Sequence, residues 1–333
     1  MKLLHVELST RCQAMCPMCP RNHSGGPARS FIGPNDMRLA EFKAWFPPEW
    51  LRDLDTLLVC GNYGDPIMNH DTLDILTYVR QANANCRISF HTNGSARNST
   101  WWRLLGNCIG QRGSVHMAVD GTAVTHHLYR AGTDWQHIMM AAAAVMEGGA
   151  EVCAETLVFA HNQHEIIQLQ QDLLSRGFAK VTAKHTQRFG GASEFISANG
   201  VRLAPAGSQK IKPYPGDDQV RQWLKTVSIN PACRREGESI YVDVHGQVWP
   251  CCHIAESWTT STDPDRHKSA VAEWNEFLFA DTVSFVEQTG VISLDYRGIE
   301  YAMSLARPAW LVWENSWKSQ QKPCNCAVFC RGT

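Results

Sequence analysis

Three cysteines stand close together in the stretch RCQAMCPMCPRN, positions 11 to 22: Cys12, Cys16 and Cys19. Thiolates ligate soft metals, and three of them leave a four-ligand centre one ligand short. Further cysteines gather toward the C-terminus, at Cys233, Cys251, Cys252, Cys324, Cys326 and Cys330. The total of thirteen is high and odd. The start, MKLLHVELSTRC, has one lysine and turns polar at once, so it does not read as an export signal. Metal ligation in a reducing cytoplasm is therefore the better reading than a disulfide framework. A formal net charge of −1 argues against a general electrostatic grip on nucleic acid or an anionic membrane. No apolar run is long enough to span a bilayer.

The elements that must position these residues alternate along the first 190 or so positions. Strands are expected at 3–9, 56–62, 87–93, 114–121, 151–160 and 179–186, and helices near 38–46, 71–84, 99–107, 135–148 and 164–176. Strand and helix in alternation imply a parallel sheet, and six such units make a partial or complete barrel. The rhythm breaks after residue 188, where Gly, Pro and Ser mark a linker or long loop. SIYVDVHGQVWPCC then reads as a hairpin turning near His245 and Gly246.

The spacing C-x3-C-x2-C, with Met18 between the last two cysteines, resembles the signature of the radical S-adenosylmethionine (radical SAM) superfamily. The resemblance implies that Cys12, Cys16 and Cys19 hold three irons of a [4Fe–4S] cluster and that SAM chelates the fourth. Met18 matches the apolar position near the adenine. CGNYGDP at 60–66 resembles the family's glycine-rich motif, which binds the SAM amino group. Gly61, Tyr63, Gly64, Asp65 and Pro66 fall in it, with Asp65 where Glu is commoner. HTNG at 91–94 resembles a family segment and brings in Asn93. VDGTAVTHHLYRAG at 119–132 looks like a stretch common in the branch of peptide maturases and sulfatase-maturing enzymes. It adds Asp120, and it makes Arg130 a candidate partner for the SAM carboxylate. Ala118 stands where that branch often has Ser, so a ribose contact is lost. A zinc knuckle completed by His23 is the other reading of the first cysteines.

The interval from Cys233 to Cys251 about Gly246 matches the opening of the SPASM/Twitch appendage, which carries auxiliary clusters. Only Cys324, Cys326 and Cys330 follow, enough for a single auxiliary [4Fe–4S] cluster and closer to Twitch than to SPASM. Cys233 and Cys251 are the hairpin ligands; two of the three terminal cysteines complete the set. Cys252 would point to the opposite face if the strand continued. A structural zinc site from the same cysteines is the alternative. Cys60, Cys86, Cys108 and Cys153 read as buried apolar residues.

The fold this implies is a radical SAM partial (β/α)6 barrel over 1–190, a linker over 191–230, and a Twitch-like β-hairpin/α extension over 231–333. The implied activity is reductive cleavage of SAM to a 5′-deoxyadenosyl radical and hydrogen abstraction from substrate. A net oxidation could run through the auxiliary cluster. A flavodoxin- or ferredoxin-type reductant would supply the electron. The chain opens directly on the first strand, which leaves no room for a leader-peptide-binding domain. That favours a small molecule, such as a sugar, nucleoside or amino-acid derivative, over a peptide or protein substrate. His91, Asn93, Glu155, His185 and Arg188, at strand ends, are the expected substrate contacts. A zinc-stabilised binding protein built on the same cysteines is the reading from another class.

Overall fold

The structure is a computed structural model that describes residues 2–186, 188–189, 192–207, 222, 225–226, 228, 238–261, 286–287 and 290–316. Six strands appear where the alternation places them: β1 (Lys2–Val6), β2 (Thr56–Val59), β3 (Arg87–Thr92), β4 (Gly113–Ala118), β5 (Glu151–Val158) and β6 (Lys180–His185). They pair in sequence order and all in parallel. Among the described residues the sheet is open at both edges, as a partial barrel is.

Helices follow the strands at Leu39–Trp45, Thr72–Ala82, Ser99–Ile109, Trp135–Glu147 and Ile166–Ser175. Their starts are chemically marked. The Asn98 side chain accepts from the Trp101 amide at 3.0 Å, and Asp134 from the Gln136 amide at 2.8 Å. These caps satisfy amides that a helix start leaves without partners. These five helices bury their apolar residues in one layer against the sheet. Leu4, Val6, Leu57, Val59, Ile88, Phe90, Val115 and Met117 point into that layer and are fully buried. The alternate residues point the other way and are only half-buried: His5, Leu58, Ser89, His91, Ser114 and His116. The concave wall of the partial barrel is therefore polar, and the period of two along each strand makes it so.

The expected hairpin forms from β9 (Glu238–Val242) and β10 (Gln247–Trp249), turning at Gly246 with φ +76°. It does not stand apart. All five residues of β9 pair in parallel with β1, from Lys2 opposite Glu238 to Val6 opposite Val242. A short strand, β11 (Ile292–Ser293), extends the edge to nine strands in the order β11-β10-β9-β1-β2-β3-β4-β5-β6. One sheet thus runs across the boundary expected at 191–230. Within that segment lie two further short strands, β7 (Phe195–Ile196) and β8 (Arg202–Leu203), paired with each other. After β10 the chain turns into a helix, Cys252–Ser261, so the strand does not continue through Cys252 as the alternating pattern would have it.

Helices Ser99–Ile109 and Trp135–Glu147 touch through glycine. A Cβ on Gly106 would lie 2.3 Å from the Val145 carbonyl oxygen, which is backbone and cannot rotate away. Gly106→Ala is therefore expected to push the helices apart and cost about 1–3 kcal/mol, measured by urea unfolding.

Candidate cofactor site at the strand ends

The cysteine loop follows β1 and is held from three sides. A second apolar cluster surrounds it: Ala14, Cys16, Met18, Tyr129, Phe159, Phe189 and Leu203 are buried together. The Met15 amide donates to the Ala131 carbonyl at 2.7 Å, and the Cys19 amide to the Cys16 carbonyl at 3.0 Å. From the β7–β8 side, the Ala198 amide donates to the Ser24 carbonyl at 2.7 Å.

The loop after β2 lies against it, backbone on backbone. A Cβ on Gly64 would stand 1.8 Å from the Ser9 carbonyl oxygen, so only glycine fits. The Asp65 amide donates to the Arg11 carbonyl at 2.9 Å. The Asp65 carboxylate is buried and accepts from Thr92 Oγ1 (2.8 Å), the Ile67 amide (3.2 Å) and the Asn93 amide (2.7 Å). Burial pushes its pKa up, and those donors pull against the shift. Asn93, fixed in this way, donates Nδ2 to Cys12 Sγ at 3.6 Å and accepts from Gln13 Nε2 at 2.6 Å.

On the other side, Arg130 donates Nη1 to Cys16 Sγ at 3.8 Å and Nε to Asp120 Oδ2 at 2.5 Å. Asp120 is fully buried, and its Oδ1 accepts from the Leu157 amide at 2.5 Å. Burial opposes the charge of Arg130, but Asp120 and then Cys16 hold its pKa above the usual value. Asp120 thus faces Arg130 and the backbone of β5.

Three thiols with N–H donors on two of them suit a thiolate-ligated metal centre. One tetrahedral zinc would draw its sulfurs to about 3.8 Å apart. Among the described residues, Cys12, Cys16 and Cys19 do not converge within 4.8 Å, and His23 does not join them. Burial pushes the Cys12 and Cys16 thiols up, and the Arg130 guanidinium pulls against the shift at Cys16.

Other expected residues sit at varied distances from this loop. Tyr63 is buried, and its hydroxyl donates to the Glu256 carbonyl at 3.2 Å. Asn62 Nδ2 donates to the Cys252 carbonyl at 2.9 Å, so the 61–66 loop also holds the helix that follows β10. Pro66 opens a short 3-10 turn behind Asp65. His91 and Glu155 lie on the concave wall, whereas His185 is an exposed residue at the end of β6. Arg188 bonds to the Tyr129 hydroxyl beside the cysteine cluster. Cys153 is buried opposite His116, and Cys60 is half-buried near Cys252. Of the expected auxiliary ligands only Cys251 is among the described residues; Cys233, Cys324, Cys326 and Cys330 lie outside them.

Three residues of the site were not among those expected from the sequence. Gln13 is one, and His116, which stacks on His91, is another. Glu7 is the third. Its carboxylate is buried, accepts from the Tyr63 amide (2.8 Å) and the Gly64 amide (3.2 Å), and takes the Tyr241 hydroxyl at 2.9 Å. It ties the β2 loop to β9. Burial raises its pKa from 4.5 to about 7. A raised folded-state pKa means that the folded protein holds the proton longer than the unfolded chain. The contribution is complete below pH 4.5 and is lost as pH rises to about 7. The unfolding free energy of the wild type, minus that of Glu7→Gln, should therefore fall by about 3 kcal/mol across that window. Urea titrations at a series of pH values measure it.

No protein-family model matches the sequence, and neither does any curated protein. Solved structures do. Native anSMEcpe with bound AdoMet is 15% identical, covering 76% of this chain and 74% of that one at a TM-score of 0.51. A His-tagged form with AdoMet is 16% identical, covering 75% and 74%, again at 0.51. SuiB of Streptococcus suis, bound to the precursor peptide SuiA, is 12% identical, covering 75% of this chain and 59% of SuiB at 0.49. This chain thus spans about three fifths of SuiB's length. At such identities the likeness is one of fold. The parallel sheet β1–β6, open as a partial barrel among the described residues with the cysteine loop following its first strand, is the fold that this chain shares with the AdoMet-bound anSMEcpe structures.

Proposed function

We propose that the chain is a radical SAM enzyme whose Cys12, Cys16 and Cys19 hold a [4Fe–4S] cluster. The observation that carries this is the pair of N–H donors aimed at two of those sulfurs, Asn93 at Cys12 and Arg130 at Cys16, from loops that follow β3 and β4. Hydrogen bonds to cluster sulfurs are one of the levers by which a protein sets cluster potential. When bound, the reduced cluster supplies the electron that cleaves SAM and releases a 5′-deoxyadenosyl radical.

The chain's own residues have separable tasks. Asp65 keeps one lone-pair site on Oδ2 beyond its three bonds and can receive the SAM amino group there. Its larger task is to hold Asn93. Arg130 keeps Nη2 for the SAM carboxylate, and Asp120 aims the guanidinium as a positioning residue. Met18, buried beside Cys16, offers an apolar surface for the adenine. Phe159, Phe189 and Leu203 keep water from the loop. The substrate reading is a polar small molecule lying against the concave wall, with an auxiliary cluster on Cys233, Cys251 and two of Cys324, Cys326 and Cys330. A peptide substrate is the second reading, favoured by the resemblance of VDGTAVTHHLYRAG at 119–132 to the branch that includes peptide maturases.

Reconstituted anaerobically and reduced, the protein should cleave SAM to 5′-deoxyadenosine, measured by chromatography. Cys12→Ala/Cys16→Ala/Cys19→Ala should abolish cleavage and lower bound iron from about eight to about four atoms per chain. Cleavage by that variant would overturn the reading. Arg130→Lys and Asp120→Asn should keep the iron but weaken SAM binding roughly ten- to hundredfold, since a charged hydrogen bond is worth about 1.5–3 kcal/mol. Equilibrium dialysis reads this loss.

A further inference from the structure

The concave wall carries a constellation that the cluster site does not use. His91 on β3 and His116 on β4 are direct cross-strand partners. Their rings stack 4.3 Å apart and 2° from parallel. Glu155 on β5 lies beside them, two residues along from Cys153, the partner of His116. One ring nitrogen of each histidine and one Glu155 oxygen all lie within 4.8 Å of one another. All three residues are half-buried.

Each histidine is also held from behind, in the same way. His91 Nε2 is 3.2 Å from Ser89 Oγ, and His116 Nε2 is 2.9 Å from Ser114 Oγ. Both serines precede their histidine by two residues and share its face of the sheet. The serine hydroxyl, which can give or take a hydrogen bond, engages Nε2 and leaves Nδ1 for another partner. Among the described residues neither Nδ1 has a hydrogen bond. Histidines that ligate metals are commonly oriented in this way, through the ring nitrogen that does not ligate.

Glu155 carries a cation already. Lys184 Nζ lies 2.6 Å from its Oε2, while its side chain is 51% exposed. An ammonium on a half-exposed stem can swing into water and give up the carboxylate.

We infer that His91, His116 and Glu155 form a site for a borderline divalent metal ion, such as Zn(II) or Fe(II), with Lys184 as the cation it displaces. Two imidazoles and one carboxylate suit these ions and leave coordination positions open. Bond lengths near 2.0–2.2 Å bring tetrahedral ligand atoms to about 3.3 Å, so the site closes by at most about 1.5 Å on binding. The two rings tilt out of parallel as their lone pairs converge. The open positions would take an oxygen, nitrogen or sulfur donor of the substrate. His91 stands two residues before Asn93, which follows β3 directly, about 7 Å away in an extended chain, so a bound donor would lie near the proposed SAM site.

The inference does not depend on the cluster assignment, because it is read as zinc bound rather than as SAM cleaved. The anaerobic holoenzyme is given Zn(II), desalted, and analysed for zinc and iron, with X-ray absorption at the zinc edge to identify the ligands. About one zinc per chain in a nitrogen and oxygen shell is expected. His91→Ala/His116→Ala should lose it with the iron content unchanged. Ser89→Ala/Ser114→Ala should weaken zinc roughly ten- to hundredfold. Lys184→Met should tighten it, an effect that a purely structural ion pair would not give. Zinc bound only by sulfur, equal uptake by the wild type and the double-histidine variant, or no uptake would each overturn the site.

Discussion

One buried carboxylate joins the three loops on which the site depends. Asp65 reaches the first loop through its amide, caps its own turn at Ile67, and holds the start of the third loop through Thr92 and Asn93. Burying a carboxylate is unfavourable, and its raised pKa records that. Three donors offset the loss of hydration. Each also fixes a backbone that would otherwise be free to choose its path. The charge could not be replaced by an apolar side chain of equal size without leaving the Asn93 amide unsatisfied, and an unsatisfied buried donor costs about 1–3 kcal/mol. The glycine at position 64 has the same logic: its missing side chain lets the second loop come close enough for the Asp65 amide to find Arg11.

The sheet divides the labour between its faces. One side, packed with Leu4, Val6, Phe90 and Met117 against helices, supplies the stability. The other is left polar and half-exposed, which a core could not tolerate. Glu7 shows how the two neighbours of β1 are joined. Its buried carboxylate spans the β2 loop and Tyr241 of β9, so the hairpin strand and the glycine-rich loop are fixed by one group.

All six parallel strands were legible, because short apolar runs alternating with helical periods leave little choice. The hairpin turn was legible from Gly246. Its partner was not: β9 joins β1 edge to edge over more than two hundred intervening positions, and an alternating strand does not name the strand it pairs with. The helix at Cys252–Ser261 was missed because a strand pattern was carried past Pro250. The cysteine loop was read directly from its spacing. Gln13 and Glu7 were invisible, since a polar residue near a strand end is ordinary until its partners are known. His116 is different. The pattern Ser-x-His occurs at 89–91 and again at 114–116, at the same stage of two successive strands. That repetition, joined to parallel pairing in register, is the signal that could have placed the two imidazoles side by side, and it was not used.

Arg130 explains why a guanidinium serves where an ammonium would not. Its planar fork faces two groups at once: Nε meets Asp120, and Nη1 meets Cys16. A lysine is a single point of charge and cannot keep both directions. The pairing with Asp120 matters as much as the geometry. A lone cation beside a buried sulfur would favour the more negative state of anything bound there. Asp120, buried and bonded to the Leu157 amide, balances that charge while leaving the N–H dipole in place. The sulfur therefore receives a hydrogen bond from a pair that is neutral as a whole. Asn93 does the same for Cys12 with a side chain that has no charge at all. Two different devices, one from β3 and one from β4, thus deliver hydrogen bonds to the cysteine loop without adding net charge to it.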